Sequence, residues 1–295
     1  MLLNDYLRAA FGCKVYKISL SARVTCPNRD GTLGTGGCIF CSEGGSGEFA
    51  ACAQLGISEQ IAQAKARVVA KAGPDAKYIA YFQSYTNTYG DPKYLERIFR
   101  EAMEPEEIVA LSVGTRPDCL PEEILDMLER LSRIKPVWVE LGLQTIHERS
   151  AKYIRRGYEL PVYDDAVQKL HARGIHVITH LILGLPGESH EDMKKSLEHV
   201  VNVGSNGVKL QLLHVLKGTD LAEEYDAGKV PVMEFEEYID LLCELVPLIP
   251  HEMVIHRLTG DGDKKLLIAP LWSADKKRVL NKVNQRVLPL VHFVD

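Results

Sequence analysis

The chain has 295 residues, of which 46% are apolar and 25% charged, and its formal net charge at pH 7 is -5. These values are ordinary for a globular protein and allow one large α/β domain, or one such domain with a small appendage. The acidic balance gives no general indication of nucleic-acid binding, although a local basic patch is compatible with it. No apolar run approaches the roughly eighteen residues of a membrane-spanning helix, so we expect no membrane partner.

The N-terminal stretch MLLNDYLRAAFG reads as a short amphipathic helix. Its early Asp and the lack of a basic segment argue against a secretory signal peptide. The cysteines are odd in number and the chain is not a small secreted scaffold, so a disulfide framework is not expected. A reducing cytoplasm is therefore the predicted compartment.

Short, β-branched apolar runs bounded by turn-forming residues recur along the chain and predict buried strands. They are VYKISL (15–20), KYIAYF (77–82), EIVALSVG (107–114), VWVELGL (137–143), IHVITHLILG (175–184) and GVKLQLLHVL (207–216).

Segments with helical periodicity lie between these runs. Their ranges are 57–73, 91–103, 121–134, 163–174 and 189–204. Ser58 is the expected N-cap of the first helix, and Asp91 followed by proline is a favourable start for the second. The alternation of strand and helix predicts a parallel sheet with right-handed crossovers. Because a closed TIM barrel has eight such units, six units predict an α/β fold with a partial (β/α)6 TIM-like barrel.

The pattern changes after residue 230. EFEEYIDLLCELVPLIP reads as one more helix, and the tail then combines a Gly/Asp turn, a strand-like run and a basic helix. We therefore predict a barrel core with an N-terminal helix over residues 1–230 and a C-terminal extension packed on it over residues 231–295.

Ligands of parallel α/β folds bind at the carboxyl ends of the strands. Polar residues follow or lie within the predicted strand ends here: Gln83, Ser84, Tyr85, Thr115, Arg116, Gln144, Thr145, His180 and His214. The sequence thus predicts a binding site at this rim.

Cys26, Cys38 and Cys41 follow the first predicted strand and belong to the same rim. Cys38 and Cys41 form a C-x-x-C pair, and the glycines between Cys26 and Cys38 allow the backbone to wrap tightly. A structural zinc takes four ligands, and a second pair is missing; Cys52 would be a weak fourth ligand. A [4Fe–4S] cluster held by three cysteines would leave one iron open. Zinc, a cluster and inert thiols all remain open on the residues alone.

The cysteine triad, with Phe40 directly before its last member, on the rim of a partial barrel resembles the radical SAM superfamily. The resemblance implies a [4Fe–4S] cluster held by Cys26, Cys38 and Cys41, whose open iron binds the amino and carboxylate groups of S-adenosylmethionine (SAM). It also implies reductive cleavage of SAM to a 5′-deoxyadenosyl radical that abstracts hydrogen, with a reductant such as flavodoxin or ferredoxin. The first gap is longer than in the commonest C-x3-C-x2-C and resembles the branch of the Elongator catalytic subunit.

A narrower resemblance covers nearly the whole chain. It is to a family of bacterial radical SAM proteins without an assigned reaction. The segments that carry it are CPNRDGT, AYFQSYTNTY (80–89), GTRPDCLP (114–121), ELGLQT (140–145), LILGLPGE (181–188) and HRLTGDG (256–262).

The resemblance also suggests roles for individual residues. Gln144 would lie by the SAM ribose, and Arg156 would face the SAM carboxylate, a pairing that suits the guanidinium fork. Where relatives often carry Asp on the fifth strand, this chain has His180, and FQSYT replaces the usual GGE or GGT. The predicted cofactor-binding residues are Phe40, Gln83, Ser84, Thr115, Gln144, Arg156, His180 and Leu183. The predicted substrate-pocket residues are Tyr85, Arg116 and His214.

Simpler readings exist for several of these residues. Cys13, Cys119 and Cys243 fit small buried hydrophobes, and His180 or His214 can be a satisfied core histidine. The basic helix face DKKRVLNK (275–282) is either solvated or a contact for a phosphate backbone.

Together these features predict a radical SAM enzyme, with a tRNA wobble uridine as the substrate suggested by the Elongator-like spacing. The alternatives are a radical SAM enzyme acting on a small metabolite or a protein, and a zinc-binding RNA or protein adaptor without catalysis. Metal content separates the last alternative from the others.

Overall fold

The computed structural model describes residues 1–45, 47, 49–73, 75–260 and 262–291. Seven parallel strands form a curled half-barrel, which confirms the predicted partial barrel. In spatial order they are β1 (Val15–Leu20), β2 (Lys77–Phe82), β3 (Ile108–Thr115), β4 (Val137–Gln144), β5 (His176–Leu183), β6 (Gly207–Leu212) and β8 (Val254–Arg257).

The C-terminal part of the sheet differs from the sequence prediction in two ways. The run predicted as one strand over 207–216 ends at Leu212, and β7 (Val215–Leu216) leaves the sheet to pair antiparallel with β9 (Leu267–Ala269). The seventh strand of the main sheet, β8, was not predicted; it comes from the segment after residue 230 and pairs with β6.

Helices cover the outer face of the sheet and one end of the half-barrel. They are α1 (Leu3–Phe11), α2 (Ile57–Ala66), α3 (Val69–Ala72), α4 (Pro92–Met103), α5 (Glu122–Ser132), α6 (Glu148–Tyr153), α7 (Leu160–His171), α8 (His190–Asn202), α9 (Asp220–Asp226), α10 (Phe235–Leu245) and α11 (Lys276–Arg286). Within the described ranges, none of these helices has the length and apolar character needed to cross a bilayer.

The helix boundaries follow local capping chemistry. The Asp91 carboxylate accepts hydrogen bonds from the first-turn amides of Lys93 (3.3 Å) and Tyr94 (3.2 Å), as predicted for the start of α4. The cap of α2 was predicted wrongly: Gly56 is the N-cap, its N–H donates to the Glu59 carboxylate (2.9 Å), and Ser58 lies inside the first turn. The predicted single helix over 57–73 is also divided into α2 and α3.

The interior of the half-barrel is closed at the end where the strands begin. There α1 packs against the two edge strands, β1 and β8, and buries Leu7 against Ile79, Trp138 and Ile178. The opposite end, formed by the carboxyl ends of the strands, is left open for the site.

Candidate active site

A cavity of about 420 Å³ opens at the carboxyl ends of the strands, which is within the usual range for small-molecule sites. Most of the residues predicted from the sequence line it: Cys26, Cys38, Phe40, Cys41, Gln83, Tyr85, Thr115, Arg116, Gln144, Arg156, His180 and His214. Side chains separated by up to 188 positions in the chain therefore meet in one place, as expected for strand ends of a parallel sheet.

Two of the predicted cofactor-binding residues do not line the cavity, and neither does Thr145 of the predicted rim. Leu183 is 1% exposed and lies in the core beneath the helices, because side chains alternate along β5 and His180 and Ile182 take the inner face. Ser84 is also buried, and the backbone at Gly47 lies so close to its hydroxyl that a Cβ there would overlap it.

The loop that carries the three cysteines is held by its own polar residues. The Asn28 amide donates to Cys38 Sγ (3.4 Å) and to the Arg155 carbonyl (2.6 Å). The Arg29 guanidinium donates to the Cys41 carbonyl (2.9 Å). The Arg29 side chain packs against the backbone of Gly37, where φ is +73° and an added Cβ would lie 2.9 Å from Arg29 Nε. Glycine is therefore required at this turn.

Tyr85, three residues after the end of β2, contacts the same loop. Its amide donates to the Gly45 carbonyl (2.9 Å), and the Arg29 guanidinium lies 5.8 Å from the centre of its ring. Tyr85 has a φ of +60°, which is uncommon for a residue with a side chain. A Cβ at Gly45 would overlap the Tyr85 ring, so loop and strand end fit closely.

Two buried arginines form the wall next to the cysteines. Arg116 binds both oxygens of Asp118 (2.9 and 2.7 Å), and its guanidinium lies 5.4 Å from the centre of the Tyr158 ring. Burial alone would lower the pKa of Arg116, but the Asp118 carboxylate raises it above the usual value. Arg156 lies on the same ring at 4.6 Å.

The donors of Arg156 are engaged by the protein. They reach the carbonyl of Thr145 (2.6 Å), the carbonyl of Tyr158 (3.0 Å) and the Glu148 carboxylate (3.0 Å). Arg156 thus fixes the segment after β4, and its contact with a SAM carboxylate stays a prediction.

Gln144, the last residue of β4, has an unusual backbone conformation and an unsatisfied side-chain oxygen. Its φ is +71°, at a point where the pairing of β4 with β5 is irregular. Its Oε1 is buried and has no hydrogen-bond partner in the described structure, although the residue lines the cavity. A strained backbone and an unsatisfied buried acceptor are typical of a ligand-binding residue.

A buried ionic network that the sequence analysis missed lies deeper in the cavity. The Glu140 carboxylate accepts hydrogen bonds from Ser112 Oγ (2.6 Å) and, at the other oxygen, from Lys209 and His180 (2.8 Å to Nε2), while Lys17 binds the first oxygen. Burial alone would raise the pKa of Glu140, but Lys17 and Lys209 hold it well below the usual value. Single charged residues in the middle of buried strands were the available signal, since such placements are rare without a partner.

His180 is the neutral member of this network. Burial lowers its pKa to about 4, and Lys209 adds to the shift while Glu140 opposes it. A neutral imidazole that donates from Nε2 to Glu140 explains how the network accommodates a fourth donor without a third positive charge.

His214 connects the cavity to the C-terminal segment. Its Nε2 lies 3.0 Å from Ser273 Oγ, and the backbone at Gly260 packs on the imidazole so closely that a Cβ would lie 2.6 Å from Cε1. Beyond Ser273, the first residue of α11, Lys276, lies 5.9 Å from the ring centre of Phe49, which lines the cavity. The N-terminal end of α11 is therefore at the cavity mouth.

The potential metal ligands that line the cavity suit an iron–sulfur cluster. Three thiols line the same space as Arg29 and Arg116, whose charges offset those of thiolates. Burial raises the pKa of Cys38 to about 11, with Cys41 adding to the shift, so metal binding would release its proton. In the described ranges, no three His, Cys, Asp or Glu side chains converge as they would on one metal ion; a cluster binds each thiolate through a different iron.

Comparison with known proteins identifies the class. The sequence model of the radical SAM superfamily matches residues 29–200, and that of the radical SAM C-terminal domain matches residues 205–288. The chain belongs to the radical SAM superfamily, whose members are enzymes that use SAM and a [4Fe–4S] cluster and need a reductant.

Within the superfamily, the chain is similar to proteins of two kinds. It is 42% identical over 285 residues to the uncharacterized protein YtqA of Bacillus subtilis, covering 97% of this chain and 88% of that one. It is 29% identical over 156 residues to the tRNA uridine(34) acetyltransferase of Methanocaldococcus jannaschii, covering 52% of this chain and 28% of the relative. Its fold matches Elp3 of Methanocaldococcus infernus with a TM-score of 0.69 at 20% identity, over 92% of this chain and 63% of that one.

Proposed function

We propose that the protein cleaves SAM reductively at a [4Fe–4S] cluster held by Cys26, Cys38 and Cys41. The observation that carries this proposal is that the three thiols line one cavity at the open end of a radical SAM half-barrel. When bound, the reduced cluster supplies the electron that splits the SAM sulfonium into methionine and a 5′-deoxyadenosyl radical. Flavodoxin or ferredoxin is the proposed reductant.

The protein's own groups would hold the reactants and exclude water. Arg29 and Arg116 place positive charge beside the thiolates, and the Asn28 amide donates to Cys38 Sγ. Hydrogen bonds to ligating sulfur tune a cluster and orient its ligand. Phe40 and Ile182 supply apolar wall to the same cavity.

The test of this activity is anaerobic. The protein is reconstituted with iron and sulfide, reduced with dithionite and supplied with SAM, and 5′-deoxyadenosine is measured by chromatography. We expect a brown protein that forms 5′-deoxyadenosine, more of it when bulk tRNA is added. Zinc in place of iron, with no visible absorption, would instead support an adaptor without catalysis.

Gln144 is the proposed contact for the SAM ribose. Replacing it by methionine should weaken SAM binding about tenfold, because one hydrogen bond to the ligand is lost. The midpoint of unfolding in guanidinium should change little, since the amide oxygen has no partner in the described structure. Equilibrium dialysis of SAM against the cluster-loaded protein measures the first quantity.

The matched control for this substitution is Gln168→Met on the exposed face of α7. It should leave SAM affinity unchanged. Equal affinities of Gln144→Met and wild type would remove Gln144 from the SAM site.

The proposed substrate is tRNA, with the side chain of the wobble uridine as the reacting group. Two observations support it: the similarity to a tRNA uridine(34) acetyltransferase, and the position of α11. Lys276, Lys277 and Arg278 occupy the first turn of α11, where cations oppose the helix dipole. A phosphate backbone bound at the cavity mouth would offset the unfavourable interaction between these cations and the helix dipole. A tRNA substrate would place the reaction in the cytoplasm.

Reversing this charge tests RNA binding. The triple variant Lys276→Glu, Lys277→Glu and Arg278→Glu should bind tRNA at least tenfold more weakly in a gel shift, and the salt dependence of binding should become shallower. The cluster absorption spectrum should stay as in wild type.

The control for this variant carries the same charge change elsewhere. Lys169, Lys194 and Lys195 are exposed on α7 and α8, and their replacement by glutamate should reduce tRNA binding far less. Equal losses of tRNA affinity in both triple variants would mean that binding depends on the net charge of the protein and not on the position of α11.

A further inference from the structure

At the floor of the cavity, two ammonium groups of the described residues share one carboxylate. Lys17 and Lys209 bind the two oxygens of one carboxylate, that of Glu140. Ser112 and His180 also donate to these oxygens, so the carboxylate has four donors. One ammonium group would suffice to neutralise it.

The described groups that face Lys209 come from five elements, and Glu140 is the one carboxylate among them. They are Lys17 on β1, Tyr81 on β2, Glu140 on β4, His180 on β5, and Arg257 with the neutral His256 on β8. His180 is neutral, and burial raises the pKa of Tyr81 well above its usual value, so its hydroxyl stays protonated. Among these described groups, the carboxylate of Glu140 is shared by two ammonium groups, those of Lys17 and Lys209.

The pKa of Lys209 is shifted in this environment. Burial lowers its pKa to about 7, and Lys17 and Arg257 add to the shift while Glu140 opposes it. A buried amine that is only partly compensated is costly to keep charged. An added anion would offset the unfavourable free energy of the buried charged amine. A purely structural role, a salt bridge between strands, would require only the Lys17–Glu140 pair.

Lys209 lies below the level of the cysteine rim. It lines the cavity from a position three residues before the end of β6, which corresponds to a depth of about 10 Å. The amino and carboxylate groups of SAM, if they bind the cluster, would lie at the rim. An anion at Lys209 therefore has a different source.

We propose that the cavity floor is a binding subsite for an anionic group, a carboxylate or a phosphate, of the substrate that reacts after SAM, with Lys209 as the residue that binds it. Lys17 and Arg257 contribute positive charge at longer range. The subsite would set which atom of that substrate faces the radical.

A free anion tests the subsite directly. The cluster-loaded protein is dialysed against [¹⁴C]acetate and, separately, [³²P]phosphate at constant ionic strength. We expect saturable binding of one equivalent per chain at about pH 6. Acetate affinity should fall at least tenfold by about pH 8.5, because Lys209 loses its proton as the pH rises through about 7 while acetate stays ionised.

Two substitutions accompany the wild type. Lys209→Met should weaken anion binding at least tenfold, and Lys195→Met on the exposed face of α8 should leave it unchanged. Circular dichroism reports whether Lys209→Met is folded; if it is not, the pH dependence of the wild type still decides the question.

The remaining outcomes identify the source of the anion. Tighter binding of acetate points to a carboxylate and tighter binding of phosphate to a phosphoryl group. Displacement of acetate by SAM would overturn the proposal, because the subsite would then belong to SAM. Non-saturable binding, or equal binding by Lys209→Met, would overturn it as well. The probe requires neither SAM cleavage nor RNA binding, so failure of either proposed activity gives a separate result.

Discussion

Cys41→Ala is expected to lose the iron–sulfur cluster and all formation of 5′-deoxyadenosine. A cluster held by three thiolates cannot retain its site when one ligand is removed, since no further cysteine of the described ranges lines the cavity. Reconstituted wild type should contain about four irons per chain, with broad visible absorption that dithionite bleaches. The variant should show neither, and chromatography should find no 5′-deoxyadenosine.

Two other cysteines provide matched controls. Cys52 is exposed, and Cys243 lies on α10 with its thiol 3.6 Å from the Arg286 carbonyl. Cys52→Ala and Cys243→Ala should keep both the cluster and the activity. Loss of iron in Cys52→Ala would identify a fourth ligand and contradict an open iron. A full cluster in Cys41→Ala would contradict the assignment of the triad.

The outline of the half-barrel could be predicted because its strands are short apolar runs separated by helices with clear periodicity. The failures have local causes. The β8 sequence VIHR is four residues long and ends in two polar residues, so only its pairing with β6 reveals it as a strand. β6 ends at Leu212, but Leu213, Val215 and Leu216 continue the strand-like pattern beyond it, so hydrophobicity carries no signal of the break.

The rim of the site could be predicted because polar residues at strand ends of a parallel sheet must converge. What could not be predicted is which way a given side chain faces. Leu183 and Ser84 lie next to cavity residues in sequence, but strand alternation and the packing of Gly47 place them outside the cavity. For Arg156, residue type suggested a free guanidinium, whereas its donors are engaged by Thr145, Tyr158 and Glu148.

The Glu140 network could be predicted from the sequence even less than the orientation of single side chains. Lys17 and Glu140 are 123 positions apart and Glu140 and Lys209 are 69 positions apart, and each is the one charged residue of its strand. Only the order of the strands around the half-barrel, which turns β1, β4 and β6 toward one interior, brings them together.

Glu140→Gln is expected to lower the free energy of unfolding by about 3–5 kcal/mol, although the amide nearly matches the carboxylate in shape. The substitution leaves the half-buried Lys17 and the buried Lys209 without the anion that both bind. Guanidinium unfolding of the cluster-loaded protein, followed by circular dichroism, measures the effect. Glu122→Gln is the surface control: Glu122 pairs with Arg173 but is 64% exposed, so the midpoint should hardly move.

A second substitution separates charge repulsion from a lost hydrogen bond. If the uncompensated ammonium groups cause the instability, Lys209→Met should partly restore stability in the Glu140→Gln background, because it removes one of the two charges. If the instability came only from missing hydrogen bonds, the double variant would be less stable than Glu140→Gln. The sign of the coupling energy therefore decides whether Glu140 stabilises the half-barrel chiefly as a counter-ion, and an unchanged midpoint in Glu140→Gln itself would rule out that role.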